Sequence, residues 1–203
     1  FSYKLQKEIE DTLNKNNQVI LFLNRRGYGN FISCRKCGYV FSCNNCDISL
    51  TYHKYGNVGT CHYCGYEESI PKTCPECGSD YVKPFGIGTE RVEEEIKRLL
   101  ENAKVLRMDK DTTSKKGELD NILNQFKNKE ANVLIGTQML SKGLDFEDVT
   151  LVGVLSADMM LNFPDFKSFE TTFQLITQVA GRAGRSDKEG KVILQTYDTD
   201  HYV

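Results

Sequence analysis

Every cysteine of this chain sits in a Cys-x-x-Cys pair: Cys34/Cys37, Cys43/Cys46, Cys61/Cys64 and Cys74/Cys77. Two thiols two residues apart converge on one ion across a tight turn, and Zn²⁺ takes four tetrahedral ligands at about 2.3 Å from sulfur. Gly38, Gly65 and Gly78 follow three of the pairs and supply the left-handed backbone that such a turn needs. Asp47 follows the fourth, and it tolerates that region less easily. No secretory signal precedes the pairs, which favours metal over disulfides. Zinc is the expected metal, ahead of an iron–sulfur cluster or a redox dithiol. Ligands that must stay reduced imply a cytoplasmic protein.

Four pairs can combine into two sites in three ways. Fourteen residues separate Cys46 from Cys61, at the edge of the usual ribbon spacing, and the middle pairs are expected to share one ion. The other ion then falls to Cys34, Cys37, Cys74 and Cys77, a nested arrangement that brings the entry and exit of the segment together. His53 and His62 are alternative ligands, but eight thiols suffice for two ions without them. With four thiolates per ion no position stays open for water, so the zinc holds shape and does no chemistry. Tyr39, Phe41, Tyr52, Tyr55, Tyr63 and Tyr66 accompany the cysteines. They suit base stacking, the filling of a small core, or a protein partner.

The rest of the chain has a different texture. Leu5, Ile9 and Leu13 are spaced as one helix face, and Val19–Leu23 reads as a buried strand. After residue 85 a strand–helix rhythm resumes. Val92, Ile96, Leu99 and Leu100 predict one helix, Leu119, Ile122, Leu123 and Phe126 a second, and Phe173, Ile176, Ala180 and Ala183 a third. Strands are expected at 104–108, 132–136, 149–155 and 191–195. Five strands alternating with helices predict an α/β fold, a parallel sheet flanked by helices, with functional loops at the strands' carboxyl ends. The expected division is a lobe of residues 1–30 and 86–203, with residues 31–85 as a zinc-binding insertion.

The 203 residues carry a formal charge of −2, and 39% are hydrophobic. Eight thiolates and two dications would take the charge to about −6, so nucleic-acid contacts must be local rather than a basic field. No apolar run is long enough for a membrane span. The chain opens on Phe1 rather than Met and is expected to be part of a longer protein.

Two segments carry further chemistry. Gln178, Arg182 and Arg185 fall at i, i+4 and i+7, with Gly181 and Gly184 beside them. Guanidinium groups in a row suit a γ-phosphate whose charge spreads during transfer. The glycines mean either a close approach or the end of the helix. Upstream, a loop leaves the predicted strand at Gly136. Its Thr137, Gln138 and Ser141 can donate to nucleic-acid phosphates, while Gly143 and Asp145 reach towards a ribose or an arginine.

Asn24-Arg-Arg-Gly-Tyr, Gly88-Thr-Glu-Arg, Gly136-Thr-Gln-Met-Leu-Ser-Lys-Gly and Gln178-Val-Ala-Gly-Arg-Ala-Gly-Arg resemble the second-lobe motifs of superfamily 2 helicases. Four Cys-x-x-Cys pairs between the first two motifs resemble the PriA family of primosomal replication-restart helicases. That resemblance implies a RecA-like lobe and an ATP-dependent DNA helicase of 3′-to-5′ polarity, using ATP and Mg²⁺ and binding two Zn²⁺. It implies branched forks, single-stranded DNA, primosome proteins and single-strand-binding protein as partners, and no membrane. Arg182 and Arg185 would contact nucleotide phosphates, Arg185 as the arginine finger. Gln178, Gly143 and Asp145 would complete the ATP site, and Thr137, Gln138 and Ser141 would couple it to DNA. The chain has no Gly-x-x-x-x-Gly-Lys-Ser/Thr loop and no Asp-Glu-x-His box. It is therefore expected to be inactive alone. The competing expectation is a zinc-ribbon module that binds nucleic acid or protein without motor activity.

Overall fold

The computed structural model describes residues 1–23, 31–53, 55–84, 88–109, 112–137, 146–163, 165–184 and 188–203. Helix α1 (Tyr3–Asn14) leads into β1 (Gln18–Phe22). Five short strands follow among the cysteines: β2 (Ile32–Cys34), β3 (Thr51–His53), β4 (Val58–Thr60), β5 (Glu67–Ser69) and β6 (Val82–Pro84). Next come α2 (Thr89–Leu99), β7 (Val105–Met108), α3 (Glu118–Lys127), β8 (Val133–Gly136) and β9 (Val149–Val154). The described elements close with α4 (Asp158–Leu161), α5 (Ser168–Ala180) and β10 (Lys191–Leu194).

The chain divides into two compact units. One comprises Phe1–Arg25, Ile87–Ser156 and Gln174–Gln195. The other comprises Arg26–Gly86, Ala157–Phe173 and Thr196–Val203.

A five-stranded sheet in the order β10-β9-β1-β8-β7 forms the first unit, and every pairing in it is parallel. Strand β1 lies at the centre and is buried along its whole length. That is why its sequence is an apolar run rather than an alternation. Val19, Leu21 and Leu23 join Leu5 and Ile9 of α1 and Val92 and Ile96 of α2 in one core. The pleat sends Ile20 and Phe22 to the opposite face. Helix α1 comes close to the sheet at Gly153, where a Cβ would lie 2.8 Å from Leu21 and 3.1 Å from Leu5.

The polar exception in β1 is satisfied. Gln18 Nε2 donates to the carbonyls of Phe126 (2.7 Å) and Ala131 (2.9 Å), tying the end of α3 to the central strand. At the sheet's other edge, ion pairs fasten α2 to β7. Arg107 Nη1 lies 3.2 Å from Glu90 and 3.8 Å from Glu93, and its Nε lies 3.1 Å from Asp109 Oδ2. Thr89, fully buried at the start of α2, donates its hydroxyl to the same Asp109 oxygen at 2.5 Å.

Two helix faces differ from the expected ones. On α5 Ser168, Thr172, Leu175 and Val179 are buried, the last three one position off the predicted stripe, and Phe173 is 57% exposed. Thr172 can be buried because its hydroxyl donates to Ser168 O at 2.6 Å, so no polar group is orphaned. On α3, Ile122 and Phe126 carry the packing and Leu119 is exposed. Phe126 meets Phe146 edge-on at 4.9 Å.

In the second unit β2 pairs with β6, and β3, β4 and β5 form a small antiparallel sheet. Its core is small: Ile32, Phe41, Leu50 and Ile70 pack with Cys43 and Cys61. Among the described residues no helix is long and apolar enough to cross a membrane.

Asp109→Ala would take one of three carboxylates from Arg107 and the acceptor from the buried Thr89 hydroxyl, and we expect it to cost about 1–3 kcal/mol in urea unfolding of the zinc-loaded chain.

Candidate metal centres

Each cysteine pair is built on the same hydrogen-bonded turn. The first cysteine's carbonyl accepts from the residue after the second: Gly38 (2.9 Å), Asp47 (3.0 Å), Gly65 (2.9 Å) and Gly78 (2.9 Å). The first cysteine's N–H donates to the carbonyl one residue further on, in Tyr39, Ile48, Tyr66 and Ser79, at 2.7–2.8 Å. The closing residue must be left-handed, with φ of 83° at Gly38, 75° at Gly65 and 68° at Gly78. Asp47 adopts it too, at φ 52°. Aspartate is among the few side chains that enter this region at modest cost.

The turns bring the thiols together in two groups, Cys34, Cys37, Cys74 and Cys77, and Cys43, Cys46, Cys61 and Cys64, each with its sulfurs within 4.8 Å of one another. This is the nested grouping. Measured pairs are Cys34–Cys77 at 3.6 Å, Cys37–Cys74 at 3.7 Å and Cys43–Cys64 at 3.5 Å. A tetrahedron with zinc–sulfur bonds of about 2.3 Å has sulfur–sulfur edges of about 3.8 Å. A disulfide would need about 2.05 Å. The donor set therefore fits a tetrahedral thiophilic dication.

Charge makes the same point. Without an ion the inner group ionises unevenly. The Tyr66 N–H draws Cys64 down to about 6, while its hydrogen bond with Cys64 drives Cys46 up to about 12. Four thiolates at such separations need positive charge among them. In every pair the first cysteine is buried and the second more open, so the ion positions lie towards the surface of the unit. The Asn45 N–H points at Cys43 Sγ at 3.4 Å, an outer-shell donor that sequence spacing did not reveal. His53 and His62 belong to neither group and meet edge-on at 5.5 Å.

The aromatic residues divide. Phe41 is buried, and Tyr39, Tyr52 and Tyr66 pack against the small core. Tyr55 and Tyr63 are exposed, at 99% and 58%.

The remaining candidate residues belong to the five-stranded unit. Thr137 follows β8 at its carboxyl end, and its N–H donates to Met108 O at 3.3 Å. Gln178 is exposed on the last turn of α5. Arg182 lies beyond that helix, so Gln178 and Arg182 do not form one helical stripe as the spacing suggested. The last turn tightens, with Arg182 N–H donating to Val179 O (3.0 Å) and Ala183 N–H to Ala180 O (3.2 Å). Gly184 then turns left-handed at φ 69° and donates to Val149 O at 3.0 Å. A Cβ there would come 2.7 Å from Gly190 Cα, so the glycine ends the helix and admits a close backbone contact. Gln138, Ser141, Gly143, Asp145 and Arg185 lie outside the described residues.

The profile of the helicase conserved C-terminal domain matches residues 84–187. The chain belongs to that family. The profile of the PriA DNA helicase Cys-rich region matches residues 43–68, so this is a PriA-type helicase segment with its zinc insertion. The chain is 57% identical over 202 residues to the replication restart protein PriA of Bacillus subtilis (strain 168), aligning along its whole length with 25% of that protein. It is 50% identical over 207 residues to the same-named protein of Synechocystis sp., again aligning whole with 25% of the relative. The Haemophilus influenzae protein of that name is 45% identical over 200 residues, covering 98% of this chain and 27% of the relative. The chain thus spans about a quarter of the length of these relatives.

Loaded with zinc, the chain is expected to hold two metal equivalents by elemental analysis, and Cys61→Ser only one. At Gly65 a Cβ would meet nothing within 4 Å, so Gly65→Ala isolates the backbone term. It should destabilise the metal-loaded fold by about 1–2 kcal/mol in thermal unfolding, and Asp47→Gly should stabilise it by up to about 1 kcal/mol.

Proposed function

We propose that this chain is the second motor lobe, with its zinc module, of an ATP-dependent DNA helicase that moves 3′ to 5′ and restarts stalled replication forks. The observation that carries the reading is the union, in one chain, of a helicase C-terminal domain over residues 84–187 and two four-cysteine clusters in the stretch before it. The sequence relatives are named replication restart proteins, in keeping with that role.

In this reading residues 1–30 and 86–203 form the lobe and residues 31–85 the zinc module. The two sets of four thiols each hold one Zn²⁺, and the ions fix the module's shape. The lobe contributes one wall of a cleft. A first lobe elsewhere in the longer protein supplies the phosphate-binding loop and the carboxylates for Mg²⁺, and ATP binds between the two. Arg182 and Arg185 reach the nucleotide phosphates from this side, with Arg185 as the arginine finger. Planar guanidinium groups neutralise the charge that spreads over the transferred phosphoryl oxygens. Gln178, Gly143 and Asp145 complete the nucleotide contacts.

Thr137, Gln138 and Ser141 donate to DNA phosphates and link nucleotide state to strand movement. Thr137 stands at the carboxyl end of β8, where open α/β sheets gather their ligands, which supports this role. The partners are branched DNA, single-stranded DNA, primosome proteins and single-strand-binding protein.

In the full-length protein Arg185→Ala should lower DNA-stimulated ATP turnover by about 10³ while nucleotide binding persists. Turnover unchanged by that substitution and by Arg182→Ala would leave a zinc-bearing binding module without motor activity. The isolated chain should hydrolyse ATP no faster than a buffer control in a phosphate-release assay.

A further inference from the structure

Three left-handed glycines close zinc knuckles, yet they differ in surroundings. A Cβ at Gly65 or Gly78 would meet nothing within 4 Å. At Gly38 it would lie 2.6 Å from Tyr197 Cβ and 3.2 Å from Tyr197 Cγ. The stem of a tyrosine from the far end of the chain therefore rests directly on the turn that presents Cys34 and Cys37. Tyr197 remains 48% exposed, so full burial of its side chain does not account for the contact.

Tyr197 is held there by a buried carboxylate. Its N–H donates to Asp158 Oδ1 at 3.1 Å and Oδ2 at 3.3 Å, and the Thr196 hydroxyl donates to Oδ1 at 3.0 Å. Thr196 Oγ1 in turn accepts the Asp198 N–H at 3.1 Å, which fixes the turn. Asp158 is 7% exposed, and donors to a buried carboxylate form charge-assisted bonds, stronger than neutral ones. Asp158 also opens α4, whose far end is engaged by the module's other half: the Ser49 hydroxyl donates to Asn162 O. Both halves of the zinc module are thus fastened to the short stretch between β9 and α5. Along the chain that stretch leads through α5 to Gln178 and Arg182.

We propose that Asp158 and Tyr197 are positioning residues: they latch the outer zinc knuckle to the segments that follow β9 and β10, so that displacement of α4 and α5 is passed to the zinc module. The inference rests on the motor reading for its second half only. With no room at Gly38 for even a methyl group, the contact transmits movement instead of absorbing it. The outer zinc site then depends on the latch, whereas the inner site does not.

The test uses the full-length, zinc-loaded protein with Tyr197→Gly and Asp158→Ala, and with Tyr197→Phe, which keeps the stem, as control. Zinc release to a chelating indicator should become about tenfold faster for one of the two equivalents and stay unchanged for the other, the scale of an outer-shell defect. Base pairs unwound per ATP hydrolysed should fall about fivefold, with DNA-stimulated ATP turnover and its dependence on ATP concentration at wild-type values. Tyr197→Phe should behave as wild type in all three measurements. Unchanged release of both zinc equivalents, or turnover falling in parallel with unwinding, overturns the latch. If Asp158→Ala fails to fold, Tyr197→Gly carries both arms. A wild-type protein that hydrolyses no ATP sinks the motor reading instead, and the zinc-release arm alone then decides the latch.

Discussion

Sulfur atoms held 3.5–3.7 Å apart repel one another once ionised. A module whose small core is Ile32, Phe41, Leu50 and Ile70, with Tyr39, Tyr52 and Tyr66 packed against it, has little apolar burial to set against that. A dication at each centre reverses the sign of the balance and fixes four turns at once. The small sheets of the module and the placement of Gly38 beneath Tyr197 all presuppose that the turns are closed. The four-cysteine centres are therefore the keystones of one unit, as the central strand β1 is of the other.

The five-stranded unit is held by different means. Apolar side chains on both faces of β1, β8 and β9 make the bulk of it, with paired polar groups at its margins. Gln18 satisfies two carbonyls at the foot of the central strand, and Arg107 gathers Glu90, Glu93 and Asp109 at the edge. These contacts settle the register and the angle of the flanking helices, and with them the carboxyl end of the sheet where Thr137 stands.

Much of this was legible in the chain. The five sheet strands fall within a residue of where the apolar runs put them, because burial on both faces leaves an unbroken signal. The nested cysteine grouping could be read from spacing. The misreadings came from residues that break the usual equation of apolar with buried. On α5 a threonine is buried because a carbonyl in the preceding turn accepts its hydroxyl hydrogen bond, and the neighbouring Phe173 is left outside. The arginine segment has helical spacing, but Gly184 must meet Gly190 and Val149, so the helix stops first. The contacts of Gly38 with Tyr197 and of Asp158 with Thr196 and Tyr197 left no trace in periodicity, since both join residues far apart in sequence.

The order of the strands has a bearing on how the chain is made. Val19 finds its neighbours in Val133 and Leu151, so the central strand leaves the ribosome long before anything can pair with it. The cysteine-rich stretch is synthesised in between, and the pairing of Ile32 with Pro84 folds that stretch into a closed detour rather than a long open loop. All eight cysteines are made before β8 and β9, so metal can be taken up before the sheet is complete. Without that closure the stretch between Gln18–Phe22 and its partners would be an open loop, and an apolar strand with both edges bare for longer is the condition under which nascent chains aggregate.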